Sequence, residues 1–147
     1  MSEMQTQARE ALTQILEQAW KRKDTSVLHD IYHPESRIEG ILPEATVSVQ
    51  ELCDLVDQFN MMVDVLDWEF VHDFCDGTEN HYARLNVKVR LNASGRTAWF
   101  NMVNCTTMRD GRMSGAYIQI DALTFLEKIG LMPQGSLYIA FAGGSFS

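Results

Sequence analysis

The stretch RDGRMSGAYIQIDALTFLEKIG, residues 109–130, contains a turn, a strand and a helix in that order. Asp110-Gly111 tolerates the positive φ angles of a two-residue hairpin turn and stands between two alternating runs. The second run passes through Tyr117-x-x-x-Asp121 into a segment with helical apolar spacing, which ends at Gly130, a residue suited to closing a helix. Towards the N-terminus the alternation continues back to Asp67, interrupted at Asn92 to Gly95 and at Asp76-Gly77. Residues 67–121 are therefore expected to form a meander of four long antiparallel strands.

Helical periods precede the meander. Ala8, Ala11, Leu12, Ile15, Leu16 and Ala19 predict an amphipathic helix over residues 3–22, with Trp20 near its end. A short helix is expected to begin near Asp24 to Ser26 and stop at His33-Pro34, because the residue before proline disfavours the helical region. Ser48-Val-Gln-Glu51 has the form of a capping box, and Val49, Leu52, Cys53, Val56 and Phe59 mark one face of a third helix. Three helices followed by an antiparallel meander give an α+β class, the helices packed on one face of a curved sheet. The chain reads as one domain, residues 1–147, with a core over 3–132 and an apolar, glycine-rich tail over 133–147.

Turn chemistry sets the expected register. A two-residue turn at Asp76-Gly77 pairs Cys75 with Thr78, placing His72 opposite His81, Phe70 opposite Ala83, Trp68 opposite Leu85 and Glu69 against Arg84. The same construction at Asp110-Gly111 pairs Arg109 with Arg112, Phe100 with Asp121, Met102 with Gln119 and Asn104 with Tyr117. A four-residue loop at Asn92 to Gly95 sets Val87 beside Phe100, and a change of one residue would invert the faces. The helix-covered face then holds His72, His81, Asn104, Tyr117, Gln119 and Asp121 among Trp68, Phe70, Leu85, Val87, Phe100 and Met102, a mixture that predicts a pocket. The opposite face ends in Val103, Cys105, Ala116, Ile118 and Ile120, an apolar half-sheet that predicts a homodimer through the sheet face.

Composition narrows the function. Of the 147 residues, 46% are apolar and 22% charged, with a formal net charge of −8, so an acidic surface without a basic stripe argues against a nucleic-acid partner. The first fifteen residues are polar and no run is long enough to span a bilayer, so neither export nor a membrane is expected, and the cytoplasm is the default compartment. Cys53, Cys75 and Cys105 form no CxxC pair and are expected to be free, buried thiols. His72 and His81 across a strand pair would need further ligands to hold a metal, and Asp73 and Glu79 face away on this register, so no metal is expected. Asp121 stands just before Ala122-Leu123-Thr124, where it is suited either to cap the last helix or to act as an acid/base. Tyr117 is suited to packing or to donating a hydrogen bond.

The first helix ending near Trp20, the Tyr32-His33-Pro34 stop, the Arg109-Asp110-Gly111-Arg112 hairpin and Tyr117-x-x-x-Asp121 leading into Leu126-Glu-Lys-Ile-Gly130 together resemble the SnoaL-like branch of the nuclear transport factor 2-like superfamily. The resemblance covers residues 3–132. It implies the cone-shaped α+β fold shared by polyketide cyclases and ketosteroid isomerases, with a pocket at the wide end and no cofactor. By position, Asp121 corresponds to the acid or base of the cyclases, while Tyr117 stands where the family often has Trp and is suited to packing first and, on the pattern of ketosteroid isomerase, to donating to an enolate. Trp20, His33, Met62, Phe100, Met102, Asn104 and Gln119 are the implied ligand-binding residues. The strand from Arg96 to Arg109 departs from the cyclase pattern, carrying no His and offering Asn104 or Thr106. The implied function is binding of a hydrophobic small molecule, as a cofactor-independent isomerase, cyclase or dehydratase acting on a carbonyl compound, or as a non-catalytic ligand-binding or dimeric accessory protein.

Overall fold

The computed structural model describes residues 2–144. Its first helix, α1 (Glu3–Gln14), is capped by the Ser2 hydroxyl and runs directly into a π-helical segment, Ile15–Lys21. The wider winding is visible in Arg22 N–H, which donates to the Glu17 carbonyl at 3.0 Å. The buried Asn60 Nδ2 donates to the Ala19 carbonyl at 2.9 Å. Helix α2 is shorter than expected, Val27–Ile31. Its C-terminal carbonyls are taken by one guanidinium: Arg112 donates to His29 at 2.8 Å, Asp30 at 3.1 Å and Tyr32 at 2.6 Å. Helix α3 (Val49–Met62) begins with the anticipated capping box and buries the anticipated face.

Five strands form the sheet rather than four: β1 (Tyr32–Glu39), β2 (Val63–Cys75), β3 (Asn80–Leu91), β4 (Thr97–Arg109) and β5 (Arg112–Ile120), in the order β1-β5-β4-β3-β2. The additional strand is the segment around His33-Pro34, expected to be a helix stop rather than a strand. It lies at the sheet edge, parallel to β5, with its pairing interrupted between Tyr32 and Arg37. An edge with irregular pairing tolerates the N–H that proline lacks. Helix α4 (Ala122–Lys128) ends before Gly130 as read from the sequence, and α5 (Ser136–Phe141) lies in the tail. The α+β expectation holds, with the helices and the core on one face of the sheet.

The register follows expectation at one turn and departs from it at two. Leu91 N–H donates to the Arg96 carbonyl, closing the four-residue loop, and Val87 faces Phe100. At Asp76-Gly77 the turn is longer, because the Asp76 carboxylate gathers the backbone N–H and hydroxyl of Thr78 at 2.9 and 2.6 Å and the Asn80 amide at 2.7 Å. These bonds, first those from Thr78, hold its carboxyl down to about 2. Cys75 therefore pairs with His81 instead of Thr78, and His72 with Arg84. A bulge at Val71 restores the expected parity beyond it, with Phe70 opposite Leu85, and Trp68 moves to Val87 and Glu69 to Asn86. His72 and His81 thus lie on opposite faces: His72 is exposed, and His81 is fully buried.

The second departure is in β5. Arg109 pairs with Arg112 as expected, but Met108 pairs with Met113 and Thr107 with Gly115, leaving Ser114 as an extra residue. Past this bulge Asn104 faces Ile118, Met102 faces Ile120, and Tyr117 is opposite Cys105. Because strand side chains alternate, one inserted residue exchanges the two faces of everything downstream. Ala116, Ile118 and Ile120 turn inward, and Tyr117 and Gln119 turn outward, the reverse of the sequence expectation. The outer face carries Val71, Phe74, Trp99, Val103 and Tyr117 as exposed large side chains, with Tyr82 stacked on Phe74 at 5.1 Å.

Candidate functional site

Between the π-helical turn, α3 and the inner face of β5 the core leaves a cavity of about 230 Å³. Trp20 forms one wall, brought there by the π-helical segment. Leu52, Leu55, Val56, Phe59 and Met62 descend from α3, Ile118 and Ile120 rise from β5, and Ile41 closes the side beyond β1. Gln58 is the single polar residue in the lining. Trp20 meets Phe59 edge to face at 4.9 Å, and Phe59 is backed by Phe125 at 5.2 Å and Phe100 at 6.1 Å. Such a space binds by shape and apolar contact, since it offers almost no groups to hydrogen-bond.

Of the residues singled out from the sequence, Trp20 and Met62 line this cavity. Phe100, Met102 and Asn104 are buried on the inner face of β4 without lining it. Tyr117 and Gln119 border a separate, polar depression of about 340 Å³ on the outside, with Glu39 and Glu44. His33 also lies away from the cavity: its Nε2 is 2.7 Å from the Arg109 carbonyl, at the β4–β5 turn. Asp121 caps α4, accepting the Thr124 N–H at 3.2 Å, while its own N–H donates to the Asn101 carbonyl at 2.9 Å. It follows Ile120 directly but is not part of the lining. The structure therefore does not bring Asp121, Tyr117 and Gln119 together in one pocket.

Of the other lining residues, the sequence marks Leu52, Val56 and Phe59 only as the buried face of α3 and does not point to Ile41, Leu55, Gln58, Ile118 or Ile120. Leu55 and Gln58 were legible as a second stripe of α3, three residues apart and adjoining the buried face. The two isoleucines were hidden by the bulge at Ser114, which has no sequence signature of its own.

The thiols are free among the described residues: Cys53 is buried, while Cys75 and Cys105 are half-buried rather than fully enclosed. Burial pushes all three thiols up, which keeps them protonated and unreactive near neutrality. No helix among the described residues is long and apolar enough to cross a membrane.

Asp73 is a carboxylate largely shielded from solvent by polar and charged partners. Asp73, turned inward by the bulge at Val71, accepts from His81 Nε2 at 2.9 Å, from Gln5 Nε2 at 3.2 Å and from Arg9 at 3.3 Å. Arg9 also lies 4.4 Å from the centre of the Phe70 ring. Burial by itself would raise the Asp73 carboxyl, but the hydrogen bonds from His81 and Gln5 and the Arg9 charge outweigh it and hold the group below its ordinary value. A carboxyl depressed on folding stabilises the native state above its unfolded value of about 3.9, and that contribution is lost as pH falls through the folded value. Urea unfolding midpoints of the parent chain are thus expected to fall steeply below about pH 4. In Asp73→Asn this part of the acid limb should flatten, and an unchanged limb would show that the cluster does not couple to folding.

A family model described as SnoaL-like domain matches residues 12–116, the greater part of the chain. No curated protein matches it. Among solved structures, TsrD from Streptomyces laurentii superposes with a TM-score of 0.71 at 17% identity, covering 90% of this chain and 99% of that one. AclR from Streptomyces galilaeus gives 0.70 at 17% identity, over 92% and 90%. An LEH-like epoxide hydrolase from M. tuberculosis gives 0.64 at 12% identity, over 95% and 98%. At these identities the likeness establishes the cone-shaped nuclear transport factor 2-like fold and leaves the chemistry to the site.

Proposed function

The chain belongs to the SnoaL-like domain family, and from that premise we propose that it binds an apolar, ring-bearing small molecule in the cavity between Trp20, α3 and β5. The observation that carries this reading is the lining itself: apolar on every side, with Gln58 alone able to orient a polar substituent. Scale supports it as well. An apolar cavity of about 150 Å³ accepts benzene, so the volume of about 230 Å³ suits a fused two-ring compound with one hydrogen-bonding group.

The test is titration with 2-naphthol, followed through the methyl resonances of Ile118, Ile120 and Met62. Saturable shifts are expected, and Leu55→Trp, which fills the cavity with an indole, should weaken binding at least tenfold, an energy of about 1.4 kcal/mol. No saturable shift, or equal binding by Leu55→Trp, would remove the cavity as the site.

A second reading, acid/base catalysis by Asp121 on a carbonyl compound, draws support from the position of Asp121 immediately after the cavity wall. In the binding reading Asp121 serves only as the cap of α4. Asn caps a helix about as well as Asp, so Asp121→Asn separates the two roles. It is expected to keep stability to within a few tenths of a kcal/mol and to bind 2-naphthol as the parent does. Turnover of a carbonyl compound by the parent, lost in Asp121→Asn at unchanged stability, would favour the enzyme.

We also propose a homodimer. It rests on the exposed large outer-face side chains Val71, Phe74, Trp99, Val103 and Tyr117, and a monomer in sedimentation would remove it.

A further inference from the structure

Beside the Asp73 cluster, two polar atoms are enclosed without a partner among the described residues: His81 Nδ1 and Thr106 Oγ1. They belong to residues directly opposite each other on β3 and β4, both on the inner face, at 0% and 1% exposure. Buried polar atoms in folded proteins are almost always hydrogen-bonded, and two on opposed residues of one rung point to a common partner. We infer that a single water molecule is bound there, bridging His81 Nδ1 and Thr106 Oγ1.

The protonation pattern follows from Asp73. An ionised carboxylate only accepts, so the nitrogen facing it at 2.9 Å, His81 Nε2, carries the proton and donates. In the neutral imidazole Nδ1 is then an acceptor with its lone pair directed into the core. No bond forms directly between the two side chains. Directly opposed residues in a sheet have Cβ atoms about 4.5–5.5 Å apart, a spacing that lets one water reach both. The water donates to Nδ1 and exchanges its second hydrogen bond with the threonine hydroxyl. Buried waters make about three such bonds, and Asn104, buried two residues along β4 on the same face, is placed to supply the third. The site holds water rather than an apolar ligand because its orphaned atoms are polar, the opposite of the cavity at Trp20. The two sites share no lining residue, so either assignment can fail without the other.

Two measurements decide it. A crystal structure fine enough to place solvent should show one density peak within hydrogen-bond reach of both His81 Nδ1 and Thr106 Oγ1. An empty site, or a rotated Thr106 hydroxyl bonded straight to Nδ1, overturns the inference. Long-range ¹H–¹⁵N correlation of the parent chain should report an Nε2–H tautomer for His81 with Nδ1 hydrogen-bonded. Thr106→Ser should preserve that Nδ1 resonance, and Thr106→Val, equal in shape but unable to bond, should move it towards the free-imidazole position. A parent Nδ1 already at the free position overturns the inference without any variant, so failure of Thr106→Val to fold leaves a decisive result in hand.

Discussion

Deletion of Ile118 is expected to leave the chain without a cooperative unfolding transition, whereas deletion of Ser114 is expected to be tolerated. Ser114 is the extra residue between the Met113–Met108 and Gly115–Thr107 pairs. Taking it out gives a regular ladder with the same pairs on either side, so Ala116, Ile118 and Ile120 keep the inner face. Ile118 lies beyond the bulge, and its loss has no such repair. If the bulge stays, Gln119 takes the inner position opposite Asn104 and Ile120 turns outward; if the bulge closes instead, Tyr117 takes that position and Ala116 turns outward. Each isoleucine lost from the interior gives up as much as about 2 kcal/mol of burial, and a polar side chain turned inward costs about 1–3 kcal/mol for atoms without partners. Closing the bulge would also misalign the pairing of β1 to β5 through Arg37–Gly115 and Ile38–Ala116. Together these losses are comparable with the whole stability of a small domain, about 5–15 kcal/mol. Near-UV circular dichroism and urea unfolding are the measurements. The Ser114 deletion should unfold cooperatively within about 2 kcal/mol of the parent. A cooperative melt of the Ile118 deletion at the parental midpoint would mean that β5 absorbs the loss and that its register does not govern which side chains face the core.

Phe59→Ala is expected to lower stability by about 4 kcal/mol, the middle of the range for removing a buried aromatic ring. Phe59 is the hub of an aromatic cluster, touching Trp20, Phe100 and Phe125 with centroid separations of 4.9, 6.1 and 5.2 Å. Edge-to-face pairs add about 0.5–1.5 kcal/mol each beyond the area they bury, so more than a transfer energy is lost. The vacated volume also opens onto the existing cavity, which limits how far the walls can collapse and holds the cost high. Urea unfolding gives the magnitude, and loss of the fine structure of Trp20 in near-UV circular dichroism gives the location. A loss below about 1.5 kcal/mol would show that the walls close over the gap and that the cluster does not hold the cavity open.

Both predictions bear on how the fold and the site were specified. Local chemistry along the chain determined the elements: the periodicity of Ala8 to Ala19, the capping box at Ser48 and Glu51, the alternation from Asp67 to Asp121, and the helix from Ala122 towards Gly130. It also determined one full register, at Asn92 to Gly95, because a four-residue loop between two regular strands leaves no freedom. These are properties of residues near one another in sequence, so they can be read without knowing what packs on them. Tertiary structure alone decided which side chains meet in the interior. The Asp76 carboxylate lengthened one turn, bulges at Val71 and Ser114 shifted two strands, and β1 reached its place through contacts with β5 some 80 residues away. A bulge adds one residue whose composition is ordinary, and its reward is burial elsewhere: Ile118 and Ile120 against α3, Asp73 against His81, Gln5 and Arg9. The cavity at Trp20, the outward turn of Tyr117 and the enclosure of His81 all follow from those shifts, because a strand has two faces and a single residue exchanges them.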